Sequence, residues 1–135
     1  MTTLAEKIAA FSVEGYPKAE IARKLGCSES TVRYYCNPAD KERRQRRDKE
    51  RNELKAKYIQ DYKQSSGCID CGNMYPYWML DLDHVRGEKI ANLSKMSRGG
   101  TYSLQQIVDE IAKCDVVCAN CHRDRTWKRS QLTQE

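Results

Sequence analysis

The sequence predicts a mostly α-helical chain that carries one small mixed unit of short strands and helices. Three observations predict it. Apolar residues recur at helical spacing through the first 38 residues. Residues 40–57 hold nine Lys or Arg and five Asp or Glu with no Gly or Pro among them. Four of the seven cysteines fall into two matched C-x-x-C pairs in the second half of the chain.

The 135 residues are only 39% hydrophobic and 32% charged, with a single Phe. A large apolar core is not expected, and small domains short of core draw on disulfides, metal or a partner. The first residues, MTTLAEKIAAFSVEGY, show no basic start followed by a long apolar stretch, and no run approaches a membrane span. The expectation is a cytoplasmic protein without a membrane partner, where thiols stay reduced and clustered cysteines mean metal. Net charge is +5, which favours a polyanionic partner.

At the N-terminus, Leu4, Ile8 and Phe11 mark one helical face, and Gly15 ends the run. Pro17 can start a second helix, KAEIARKL, stopped by Gly26. Ser28 can cap a third, ESTVRYY, which runs out at Asn37-Pro38. Residues 1–38 are therefore expected to form one unit of three short helices.

Within it, Ala22 is followed by Gly26 four residues on and by Val32 six after that. A small residue where two helices cross, a glycine at the turn and an apolar residue packing back are what a near-perpendicular helix pair demands. This stretch resembles the helix-turn-helix of DNA-binding proteins. The resemblance implies that the helix beginning near Glu29 enters the major groove of double-stranded DNA, with Glu29, Ser30, Thr31, Arg33 and Tyr34 as contact candidates. A plain structural bundle has the same pattern. Cys27 and Cys36 are expected to be small apolar fillers.

Residues 39–64 are expected to form a charged linker helix, supported by Glu42/Arg46 and Glu53/Lys57 at i,i+4. The segment 40–57 carries +4 of the net charge. It is either a solvated spacer or a basic rod whose Arg43, Arg44, Arg46 and Arg47 lie along DNA phosphates. Leu54, Tyr58 and Tyr62 mark an apolar face at its C-terminal end, suited to an internal contact or to a homodimer, so monomer and homodimer both remain open.

After Ser65-Ser66-Gly67, residues 65–130 form the last unit. CIDCGN is a knuckle, YWMLDLDHV a strand, RGEKIANLSKMSRGGTY a polar loop, SLQQIVDEIAK a Ser103-capped helix with Leu104, Ile107, Val108 and Ile111 inward, CDVVC a strand and ANCHRDRTWKR a helix. The pairs Cys68/Cys71 and Cys118/Cys121 stand 46 residues apart. Each C-x-x-C turn delivers two thiolates, and two such turns complete a tetrahedral four-cysteine zinc site. Cys-Ala-Asn-Cys-His at 118–122 is also a c-type haem signature, but both of its sulfurs have partners in the first pair, and no second axial ligand is obvious, the only other histidine being His84. Cys114 is spare and expected to be buried.

The chain's two histidines both lie in this unit: His84 follows Asp83 at a strand end, and His122 follows the last cysteine of the second pair. Across CIDCGN…LDLDHV…VVCANCHRDRT, residues 68–126 resemble the HNH endonuclease family of the kind whose ββα-metal site is braced by four-cysteine zinc. The resemblance implies a treble-clef-like module and phosphodiester hydrolysis in a phage-borne or homing-type nuclease. One magnesium or manganese ion would sit on Asp83 and His122, with His84 as general base. The family's middle residue, commonly Asn, has no match at Lys113 or Cys114, which leaves Asn92 or Asn120. Arg86, Lys89, Arg123 and Arg125 are nearby candidates for holding phosphate. The other functions weighed are a non-catalytic zinc-containing DNA-binding regulator and an RNA- or protein-binding zinc module.

Overall fold

The computed structural model describes residues 1–133. These contain seven α-helices, a short 3-10 turn and two strands, and they divide into two compact units, Met1–Lys49 and Glu50 onward.

The first unit holds α1 (Leu4–Val13), α2 (Lys18–Leu25) and α3 (Glu29–Cys36). Thr3 and Glu6 form a reciprocal capping box at the start of α1. Gly26 ends α2 at φ 63°, a left-handed conformation that glycine adopts without strain. Ser28 caps α3, accepting from the Thr31 amide at 3.1 Å. Ile8, Ile21 and Val32 are fully buried, one from each helix, with Ala22 beside them and Phe11, Tyr16, Leu25, Cys27 and Cys36 around the edge. Asn37 alone separates α3 from α4 (Pro38–Ser66). Its side-chain oxygen accepts from the Ala39 amide at 3.1 Å, and Pro38 takes the first helical position, where a missing N–H costs nothing. Asn37-Pro38 is thus a start signal as well as a stop signal. The division between the units falls inside α4.

The second unit begins with the C-terminal part of α4. Gly67 leaves the helix at φ 66°. After the first cysteine pair and a 3-10 turn at Tyr77–Met79 come β1 (Leu80–His84), α5 (Leu93–Met96), α6 (Leu104–Ile111), β2 (Cys114–Cys118) and α7 (Ala119–Leu132). Strands β1 and β2 pair antiparallel, with Leu80 opposite Cys118, Asp83 opposite Asp115 and His84 opposite Cys114. Two apolar clusters result. Leu80, Val116 and Val117 gather around Cys68 and Cys118. Met96, Ile107 and Ile111 gather beneath Ile59 and Tyr62 of α4.

Several local expectations need correction. The loop 86–102 contains the short helix α5. Leu54 and Tyr58 of α4 are exposed, and Lys55 is buried instead. Its ammonium donates to the backbone carbonyls of Gly99 at 3.2 Å and Tyr102 at 2.5 Å. On α6, Leu104 is exposed while Glu110 is buried. No helix among the described residues is long and apolar enough to cross a membrane.

Candidate metal centre and its charged surroundings

The two C-x-x-C turns meet. The sulfurs of Cys68, Cys71, Cys118 and Cys121 all lie within 4.8 Å of one another. A tetrahedral zinc with Zn–S bonds of about 2.3 Å sets its sulfurs roughly 3.8 Å apart, so the spacing suits that ion. The donor chemistry fits as well. Burial works against a Cys68 thiolate, but amides of the two turns donate to its sulfur and pull its pKa down to about 6. Cys121 is pushed up to about 12, first by its hydrogen bond to Cys118 and then by burial. Four thiolates together need a divalent ion to offset their charge. These four cysteines could hold zinc.

Cys118 has a second role. It is the N-cap of α7, its sulfur 3.5 Å from the Cys121 amide. The second turn of the cysteine cluster and the first turn of the helix are therefore one element.

The remaining polar residues separate by strand parity. Successive residues of β1 point to opposite faces. Asp81 and Asp83 meet α7, whereas His84 lies against α6. On the α7 side, the Asp83 carboxylate accepts from Arg129 at 3.0 and 2.6 Å and from Arg125 at 3.0 Å. Those hydrogen bonds, Arg129's foremost, outweigh burial and hold the Asp83 carboxyl below its ordinary range. Arg125 also reaches Asp115 at 3.0 Å and grips Asp70 with two hydrogen bonds of 2.6 and 2.5 Å. His122 stands between Asp81, 3.0 Å from its Nδ1, and Asp83, 3.6 Å from its Nε2.

On the α6 side, His84 Nε2 is buried 3.5 Å from Glu110, without a well-formed hydrogen bond. Glu110 also accepts from Lys113 at 2.8 Å and from the Ile90 amide at 3.2 Å. These partners overcome the opposing effect of burial and lower its pKa.

Asp83 and His122 are thus brought together, but Asp83 is occupied by two guanidinium groups and His84 is turned to the other face. Asn92 and Asn120 are both exposed, the former preceding α5 without capping it through its side chain. Arg86 clamps β2, donating to the Cys114 carbonyl at 2.9 Å and pairing with Asp115 at 2.9 Å. Arg125 is likewise engaged within the protein. Lys89 and Arg123 are exposed. Cys114 is buried, 3.4 Å from the Glu110 carbonyl.

In the first unit, Glu29, Ser30 and Arg33 are exposed on α3, with Thr31 and Tyr34 half-buried. Glu29 and Arg33 pair at 2.8 Å, and Ser30 and Thr31 both hydrogen-bond the Ser28 hydroxyl at 2.8 Å. The Arg44 guanidinium lies over the Tyr34 ring, 5.4 Å from its centre. Arg43 pairs with Asp40. Arg46 and Arg47 extend the exposed basic run on α4.

Sequence reasoning missed the network around Arg125. Its signal was present in the alternation of Asp81, Asp83 and Asp115 on the strands and in Arg125 and Arg129 one helical turn apart. The buried Lys55 gave no such signal, because it sits in a run of similar charges.

No curated protein and no solved structure matches the chain significantly. The sequence matches no HNH family, and the family it does match is a different one. The expectation of an HNH endonuclease therefore does not hold, and the catalytic magnesium or manganese ion expected with it has no support. Residues 10–60, from the end of α1 through α3 and most of α4, are instead similar to the family described as "Putative ATPase subunit of terminase (gpP-like)".

Proposed function

We propose that this chain is a non-catalytic DNA-binding protein of phage genome packaging. Its first unit holds duplex DNA, and its second unit is a zinc-braced scaffold. The observation that carries the reading is that the matched segment contains the α2–Gly26–α3 turn and the basic start of α4. In this reading α2 and α3 are a helix-turn-helix. Val32 faces inward, which leaves Glu29, Ser30 and Arg33 on the outer side of α3 for the major groove. Arg43, Arg44 and Arg47 lie on the helix that follows, where guanidinium groups contact phosphates. The ATPase in the family's description does not carry over to this segment. Residues 10–60 contain only Gly15 and Gly26, and so lack the glycine-rich G-x-x-x-x-G-K loop that cradles nucleotide phosphates.

Fluorescence anisotropy with a labelled duplex across a salt series tests the reading. Each phosphate that the protein neutralises contributes about −0.9 to the slope of log K against log salt on duplex DNA. Replacing Arg43, Arg44 and Arg47 by alanine should flatten that slope by roughly one unit for each phosphate left without its guanidinium. A wild-type protein that fails to bind duplex DNA, or whose slope is the same after the triple substitution, would sink the proposal.

A further inference from the structure

Asp70 and Arg125 join the two halves of the metal cluster from outside it. Asp70 lies between Cys68 and Cys71, and Arg125 lies one helical turn beyond Cys121. Their two hydrogen bonds of 2.6 and 2.5 Å form a side-on carboxylate–guanidinium pair, the strongest ion-pair geometry available to these groups. The pair is only partly solvated, with 32% of the Asp70 side chain and 21% of the Arg125 side chain exposed. Arg125 is fixed in turn by Asp83 and Asp115, one from each strand. Asp70 is also the neighbour of Cys71 in the turn that carries both sulfurs. Anchoring the carboxylate therefore holds the backbone of that turn.

We propose that the Asp70–Arg125 pair is a latch on the zinc site. It holds the Cys68/Cys71 turn against the helix that begins at Cys118, and so controls how fast the ion is released. Asp70 and Arg125 are positioning residues, and neither touches the metal. The inference rests on the reading of the cysteine cluster as a zinc site. For an ion to leave, one turn must swing away from the other. With the latch closed, that motion has to break a charged pair as well as two Zn–S bonds. Groups that orient metal ligands in this way typically change metal affinity by roughly 10–100-fold when removed.

The experiment measures zinc release from the full chain into excess chromogenic chelator, followed by absorbance, for wild type, Asp70→Asn and Glu110→Gln. Asp70→Asn removes the latch. Glu110→Gln removes a buried ion pair with Lys113 on the α6 side and touches neither Asp70 nor Arg125. Release about 10-fold faster in Asp70→Asn, with Glu110→Gln close to wild type, is the expected result. Unchanged release in Asp70→Asn overturns the latch, as does equal acceleration in both variants, because release would then follow general stability. Wild-type protein purified and refolded with zinc that carries no ion by elemental analysis would overturn the zinc reading, and the latch with it.

Discussion

The two compact units are held together by opposite means. In Met1–Lys49 the interior is carbon: Ile8, Ile21 and Val32 are fully buried and no charged side chain lies among them. From Glu50 onward the interior includes Lys55, Asp83 and Glu110, all nearly inaccessible, beside the cysteine cluster. Burying charge is costly unless every charge is paired and hydrogen-bonded. The second unit meets that condition through carbonyls on Lys55, guanidinium groups on Asp83, and Lys113 with a backbone amide on Glu110. Such a network specifies one arrangement, but it contributes less to stability than apolar packing of the same volume. The four-cysteine cluster, which could hold zinc, lies in the unit whose interior includes charge.

Metal removal is the strongest way to break this comparison. Structural zinc contributes on the order of 10 kcal/mol to folding in small domains. Chelation, or Cys71→Ser, should therefore unfold the second unit and leave the first helical. Two-dimensional NMR would show amide signals of the second unit collapsing while those of Ile8, Ile21 and Val32 persist. Collapse of both sets together would mean that the units do not stand alone.

The next effect tests the other side. Ile21→Ala empties part of a fully buried apolar cluster and should cost about 2–5 kcal/mol. The thermal transition of the first unit should fall while zinc content by elemental analysis stays unchanged.

Near neutral pH the smallest effect comes from acid. Asp83 and Glu110 have lowered pKa values in the folded chain, from ordinary values of 3.8 and 4.5. The folded state therefore binds fewer protons than the unfolded state. The stability these groups contribute is complete above about pH 5 and is lost as pH falls through their folded values. In zinc-saturated protein monitored by near-ultraviolet circular dichroism, Glu110→Gln should reduce the acid sensitivity of the second unit below about pH 5. An unaltered acid transition would remove Glu110 from this account.

What could be read from sequence follows the same division. The first unit was legible because its determinants are local: helical spacing at Ile8, Ile21 and Val32, a stop at Gly26 and a cap at Ser28. The cysteine pairs were legible because ligand spacing is a chemical constraint. Strand parity was harder to use. Asp83 and His84 are adjacent in sequence, and their neighbourhood looked like one site until β1 placed them on opposite faces. Lys55 and Leu54 exchanged roles because the long charged helix has no strong apolar stripe to fix its rotation. The carbonyls that fix it, those of Gly99 and Tyr102, lie more than 40 residues away in sequence.

Cys118 gives the second unit an unusual mutational landscape. A helix cap tolerates serine as readily as any residue, whereas a zinc ligand does not. Serine at position 118 would keep an oxygen able to cap α7 while removing one corner of the cysteine cluster. Alanine there would damage both. Genetic drift from cysteine to serine, a single-atom change, would therefore preserve the capping signal in the sequence while unfastening the module that the helix belongs to. A helix-start signal alone would be a poor guide to whether a diverged copy still folds.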